Sequence, residues 1–217
     1  MTKKIISQGI YLVIDPSMDK DVLLDKLHQA ISGNIVAVQI WDNFRPETDI
    51  IALIHEISKI CRSKNIPVLI NNRWELLLST ELDGVHFDEV PANFAQIKQL
   101  IGNKGILGIT CGNELSVVKW AHDQQLDYIS FCSIFPSTTA NSCELVSFDT
   151  IKATRAITSL PIFLAGGIRP ENIPQLKGLG ATGIAVVSGI MSAEQPMEAL
   201  QRYEQALSEL RHTSPKP

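Results

Sequence analysis

The sequence predicts a (β/α)8 barrel, an α/β fold of TIM type, on three observations. Eight short runs are nearly continuous in apolar residues, as strands buried on both faces must be. Longer stretches with apolar residues at helical spacing alternate with them. The chain of 217 residues is long enough for one such barrel with its ring of helices. A doubly wound open sheet is the alternative, but it would normally use fewer strands, and no GxGxxG follows the first run.

The strand candidates, in order, are YLVI (11–14), IVAVQI (35–40), PVLI (67–70), GVHF (84–87), GILGI (105–109), YISFCSI (128–134), PIFLA (161–165) and GIAVV (183–187). Pro67 and Pro161 open their strands, where a missing N–H is tolerated. The helical patterns are DVLLDKLHQAI (21–31), DIIALIHEISKIC (49–61), FAQIKQLI (94–101), LSVVKWAHDQ (115–124), ENIPQLKGLG (171–180) and MEALQRYEQALSELR (197–211). Gly180 closes the fifth of these before the last strand. The reading is a single domain over 1–210, with the polar, proline-bearing tail at 211–217 expected to fray.

Composition removes several function classes. With 45% hydrophobic and 19% charged residues, the chain can bury a sizeable core. Net charge is -4 and there is no Lys/Arg cluster, so nucleic acid is not an expected partner. No apolar stretch is long enough to span a membrane, and MTKKIISQGIYLVI reads as a first strand rather than a signal peptide. Cys61, Cys111, Cys132 and Cys143 lie far apart without CxxC spacing. That argues for reduced thiols in the cytoplasm rather than a zinc site or a disulfide framework. Homo-oligomerisation stays open.

In a barrel, chemistry sits at the C-terminal ends of the strands. AGGIRPENI places Gly166 and Gly167 at the seventh strand end, and VVSGI places Val187, Ser188 and a glycine at the eighth. Glycines let backbone N–H groups approach an anion, so these two loops read as a phosphate site for a small phosphorylated metabolite. The competing reading is that the glycines only make tight turns. The stretch PSTTANSC (136–143) carries three hydroxyls in a row and no Lys or Arg, a phosphate-type loop without positive charge. His86, inside an apolar strand, is either a satisfied barrel histidine or a catalyst. Asp88 and Glu89 are adjacent, so on a strand they point to opposite sides, leaving one of them as a metal-site candidate. Trp41 either stacks on a ring or fills the barrel mouth. Arg73 either binds an anion or pairs with Glu75 or another nearby acid. His28, His55 and His122 fall in helical patterns and are expected at the surface.

Seven segments, in order along nearly the whole chain, resemble the thiamine phosphate synthase and thiazole tautomerase family. YLVID (11–15) is similar to the family's opening strand. VQIWDN (38–43) stands where the family has V-Q-L-R-x-K, and INNRWELLLSTELDGVHF (70–87) is close to I-N-D-R…A-D-G-V-H-L. LGIT (107–110), FCSIFPSTT (131–139), LAGGIRPENI (164–173) and GATGIAVVSGI (180–190) complete the series. The resemblance implies the same barrel. It also implies a transferase that joins hydroxymethylpyrimidine pyrophosphate to thiazole phosphate, releasing pyrophosphate with the help of Mg²⁺. It implies that Gln39 and Asn71 contact the pyrimidine substrate, with Thr110 standing where the family usually has Ser. Ser137 and Thr139 would lie near the thiazole, and Gly167, Val187 and Ser188 at its phosphate.

The departures from the pattern concentrate on one group. Trp41 stands for an arginine, Asn43 for a lysine, Asn72 for a metal-binding aspartate, Pro91 about where a second aspartate belongs, and Ala140 for the lysine closing the PSTT loop. All five would serve the leaving pyrophosphate, and no catalytic residue or metal ligand is assigned in their place. The tautomerase histidine after the fifth strand is missing too, with Cys111, Gly112 and Asn113 in that region. Three readings follow. The first is a synthase rebuilt around Asp88, Glu89 and Arg73. The second is a non-catalytic binder of thiazole phosphate or thiamine phosphate. The third is a different, metal-independent enzyme with Cys111, His86 or Glu89 as acid–base groups.

Overall fold

The structure is a computed structural model that describes residues 3–137 and 144–212. Eight parallel strands close into a barrel in chain order: β1 (Gly9–Ile14), β2 (Ile35–Ile40), β3 (Val68–Asn71), β4 (Gly84–Phe87), β5 (Ile106–Cys111), β6 (Tyr128–Phe131), β7 (Ile162–Ala165) and β8 (Gly183–Val186). β1 pairs with β8 through Gly9 and Gly183 to Leu12 and Val186, which completes the closure. Around it run α1 (Lys20–Ala30), α2 (Ile50–Arg62), α3 (Phe94–Ile101), α4 (Leu115–Asp123), α5 (Phe148–Thr154), the short α6 (Ser188–Met191) and α7 (Pro196–His212). Local sequence starts several of them. Asp19 caps α1 by accepting from Asp21 N and Val22 N, Asp49 caps α2 through Ala52 N, and Ser147 caps α5 through Thr150 N.

The period-two alternation of each strand divides the core. One set of side chains, including Leu12, Ile14, Val38, Ile40, Ile70, Ile109 and Leu164, packs outward under the helices. The alternate set, including Tyr11, Ala37, Leu69, Ile106, Tyr128 and Phe163, fills the barrel interior. Interior packing leaves no slack at Gly108, where a Cβ would fall 2.1 Å from the Tyr128 ring. Among the described residues no helix is long and apolar enough to cross a membrane.

Three expectations need correction. The alternation of strand and helix breaks after β3, where the chain makes only a 3-10 turn, Trp74–Leu78, before β4. The pattern at 171–180 is also a 3-10 segment, Pro170–Leu176, because Pro174 inside it has no N–H to donate. The strand expected over 128–134 stops at Phe131, and pairing with the end of β7 resumes only through Ile134 N–H to Ala165 O and Phe135 N–H to Gly166 O. α5 and α6, absent from the helical patterns, are too short for their periodicity to stand out. The tail at 213–217, with the Thr138, Thr139, Ala140 and Cys143 positions, lies outside the described residues.

Candidate active site

The C-terminal strand ends surround one cavity of about 550 Å³. It is lined by Gln39, Asn71, Thr110, Ser137, Gly166, Gly167, Val187 and Ser188, so the expected binding residues that fall in the described part share one site. The cavity has two unlike ends.

At the β7/β8 end the cavity wall is mostly backbone. Gly166 and Gly167 have φ of 85° and 64°, a region glycine enters at no steric cost. A Cβ on Gly166 would meet Ser133 Oγ at 2.5 Å, and one on Gly167 would meet the carbonyl oxygens of Pro136 and Phe135 at 2.4 and 2.6 Å. Only glycine therefore lets these two loops touch. Asn172 Nδ2 donates to Gly167 O at 2.9 Å, and Tyr203 Oη, from α7, donates to Ile168 O at 3.0 Å. Arg169, Ser188 and Tyr203 line the same end.

On the opposite wall, over β2 to β4, Arg73, Asp42 and Asp88 are already engaged. Arg73 lies outside the cavity wall, its Nε 2.6 Å from Asp42 Oδ1 and its guanidinium 5.1 Å over the Phe44 ring. The pairing reading of Arg73 holds, with Asp42 rather than Glu75 as partner. Asp88 and Glu89 do not face opposite sides: both follow the last residue of β4, where strand alternation no longer applies, and both line the cavity. Asp88 accepts from Asn71 Nδ2 on one carboxylate oxygen (3.0 Å) and from Asn72 Nδ2 on the other (2.9 Å), while its own N–H donates to Asn72 Oδ1 at 3.0 Å. Asn72 reaches this position at φ 58°, a conformation asparagine tolerates better than most residues. Asn43 Nδ2 donates to Asp15 Oδ1 at 3.0 Å, and Pro91 does not line the cavity.

The Mg²⁺ implied by the family resemblance would need hard oxygen donors with charge. The donor set is not preorganised for it. Asp88 already has an amide donor on each oxygen, Asn72 Oδ1 already accepts a backbone N–H, Glu89 is the second carboxylate on this wall, and the described residues hold no group of three or more His, Cys, Asp or Glu able to hold a metal.

Two of the proposed acid–base groups are also altered by the fold. Cys111 points outward into the layer beneath the helices, fully buried, and burial pushes its thiol up to about 12. It does not line the cavity, so the acid–base role suggested for it is overturned. His86 lies on the barrel floor with both ring nitrogens bonded, Nδ1 2.8 Å from Tyr128 Oη and Nε2 2.8 Å from Thr110 Oγ1. Burial holds its imidazole down at about 4, against an ordinary 6.5, with Asp88 opposing the shift. The histidine is neutral at pH 7.

This depression sets a pH dependence. Between pH 6.5 and about 4 the unfolded chain binds a proton at this histidine that the folded chain refuses. Stability from this group is complete above pH 6.5 and is lost as pH falls toward 4, by about 3 kcal/mol. Melting curves of the native chain and His86→Gln across that window are expected to diverge in slope, with the variant flatter. Parallel slopes would show that His86 is not the group responsible.

Sequence reasoning missed Tyr11, Tyr128, Ser130 and Tyr203, all of which line the cavity. The signal was present for the first three. Tyr11 and Val13, like Tyr128 and Ser130, are alternate residues of a strand, and both pairs turn inward. Tyr203 comes from α7, far along the chain, and carried no local signal.

Comparison with known proteins places these features. The sequence matches the family model described as thiamine monophosphate synthase over residues 10–190. It is 34% identical to thiamine-phosphate synthase of Vibrio campbellii, over 88% of this chain and 93% of that one. It is 31% identical to thiamine-phosphate synthase 1 of Aquifex aeolicus, over 92% of this chain and 93% of that one. Among solved structures, thiamine phosphate pyrophosphorylase from Pyrococcus furiosus superposes with a TM-score of 0.80 at 20% identity, covering 94% of this chain and 96% of that one, which shows the fold.

Proposed function

Because this chain belongs to the thiamine monophosphate synthase family, with the role in thiamine biosynthesis that its relatives support, we propose that its cavity binds thiazole phosphate and hydroxymethylpyrimidine pyrophosphate side by side and joins them slowly to thiamine phosphate, releasing pyrophosphate. The observation that carries this is the two-ended cavity. A glycine and hydroxyl cradle at β7/β8 faces a hydrogen-bonding floor of buried Gln39 and Asn71 and half-buried Thr110. Gly166, Gly167, Val187 and Ser188 would hold the phosphate through backbone N–H groups and a hydroxyl. Gln39, Asn71 and Thr110 would orient the pyrimidine, with Ser137 against the thiazole. The chain's contribution to the reaction is then proximity: two reactants held in one pocket.

Among the described residues, help for the departing pyrophosphate is weak at the β2–β4 wall. Arg73 is paired with Asp42, and Asp88 already accepts an amide on each oxygen. The same observation favours a second reading, a barrel that binds thiazole phosphate or thiamine phosphate without turnover. One experiment separates them. Concentrated protein is mixed with pyrimidine pyrophosphate and thiazole phosphate, with and without Mg²⁺, and thiamine phosphate is followed over a single turnover beside a melting curve. The expected result is a raised melting temperature with thiazole phosphate and slow product formation that Mg²⁺ does not accelerate. A raised melting temperature with no product selects the binder. An unmoved melting temperature overturns both readings.

A further inference from the structure

The N-terminal arm crosses the base of the barrel, at the end away from the cavity. β1 begins at Gly9, and in a barrel closed in chain order β5 stands opposite β1. Lys3 Nζ lies 2.7 Å from Oδ2 of Asp127, the residue just before β6. Lys4 Nζ lies 3.0 Å from Oδ2 of Asp83, the residue just before β4. The two lysines therefore flank β5, and the residues between them and Gly9 span the base. Midway, Ile6 is 7% exposed and belongs to the interior cluster with Ile106, Tyr11, Tyr128 and Phe163, while Ile5 beside it is 86% exposed.

Both anchoring carboxylates are themselves tied to the barrel. Asp83 Oδ2 accepts from Val68 N–H, at the start of β3, at 2.9 Å, and Asp127 Oδ2 accepts from Leu107 N–H in β5 at 2.7 Å. Thr182, just before β8, accepts in the same way from Ile162 N–H of β7 at 3.1 Å, through a neutral hydroxyl. The arm's two cations meet the two charged members of this set. The paired side chains are only 22% to 31% exposed, so solvent screens them less than it would at an open surface. Lys4 Nζ also lies 3.5 Å from Ile66 O, and Ile66 N–H donates to Cys61 O at 3.1 Å. Cys61, in the last turn of α2, is fully buried. Burial pushes its thiol up to about 12, and the charges of Lys4 and Asp83 act on it in opposite senses, which places it beside their ion pair.

We propose that residues 3–8 form a strap that braces the cavity floor from the opposite end of the barrel. Tyr11, Tyr128 and Phe163 line the cavity and belong to the cluster that Ile6 completes from the base. A close-packed interior passes a lost contact on to its neighbours, so Ile6 acts on groups that a ligand meets without touching the ligand. The lysine pairs keep Ile6 in place on a chain end that would otherwise fray. The strap depends on neither proposed end of the cavity and holds whichever ligand the cavity takes.

Two variants test it. A Lys3→Gln, Lys4→Gln double variant removes both charges and leaves the core whole. Alkylation with iodoacetamide, followed by peptide mass mapping, is expected to modify Cys61 about 10-fold faster than in the native chain, the effect of two such pairs opening a local segment. Cys111, equally buried but at the far end of β5, is the internal control and is expected to keep its native rate. An unchanged rate at Cys61, or an equal rise at both cysteines, would overturn the strap. Ile6→Ala tests the brace. Of the chain's three tyrosines, Tyr11 and Tyr128 share the cluster with Ile6, and Tyr203, on α7, packs outside it. In protein carrying ¹³C-labelled tyrosine, Ile6→Ala is expected to move the ring signals of Tyr11 and Tyr128 and to leave those of Tyr203 in place. Three unmoved sets, or three that move alike, would overturn the inference.

Discussion

A Trp41→Arg, Asn43→Lys, Asn72→Asp variant is expected to form thiamine phosphate in a single turnover at least ~100-fold faster than the native chain, and to acquire a dependence on Mg²⁺. These are positions where the family pattern calls for two cations and a metal carboxylate. They lie at the β2 and β3 ends, beside the wall of the cavity where Arg73 is paired with Asp42. Each preorganised charge aimed at a leaving group lowers the barrier by about 3 kcal/mol, and the contributions are far from additive. Asn72→Asp alone would gain little, because Asp88 then loses the Asn72 amide donor at 2.9 Å and faces a like charge. That repulsion is what a divalent cation relieves, so the Mg²⁺ dependence should appear with this substitution. Asp42→Asn is the complementary change, because it releases Arg73 from its ion pair. Rapid-quench measurement of all variants checks the argument. Equal rates in the native chain and the triple variant would show that charge at the leaving group is not what limits this barrel.

Gly167→Ala is expected to weaken thiazole phosphate binding by about 100-fold, roughly 3 kcal/mol. The methyl group would sit 2.4 Å from Pro136 O and 2.6 Å from Phe135 O, so the β6 and β7 loops must part. Their parting moves the backbone N–H groups proposed to hold the phosphate. Gly178→Ala is the control: its φ of 81° imposes similar backbone strain, but nothing lies within 4 Å of the added Cβ and the residue is not part of the cavity lining. Calorimetry with thiazole phosphate, beside melting curves, separates the two effects. Both variants are expected to lose stability of about 1 kcal/mol or more from strain, and only Gly167→Ala to lose binding. Equal loss of binding in the two would mean that the cradle is not at Gly167.

Much of this site was legible in the sequence. Strands buried on both faces read as continuous apolar runs, and that pattern survives in β2 and β4, whose limits agree with the sequence reading to the residue. The glycines at the β7 end were legible because positive φ combined with close backbone contact leaves room only for glycine. The lost charges at Trp41, Asn43 and Asn72 were legible as gaps in a family pattern. Short or proline-interrupted segments were not: the 3-10 turns after β3 and β7 are decided by packing and by Pro174, which helical periodicity does not register.

The sequence by itself determined the barrel, the family and the residues at the strand ends, because burial, backbone freedom and residue identity are written locally along the chain. Tertiary structure alone decided that Arg73 is spent on Asp42, that Asp88 accepts from both Asn71 and Asn72, that Cys111 faces outward, and that Tyr11, Tyr128 and His86 form one hydrogen-bonded chain with Gln39 and Thr110. These pairings join residues up to 117 positions apart. The physical reason is that a hydrogen bond depends on which lone pair meets which proton within about 3 Å, and barrel closure, not sequence proximity, sets those distances.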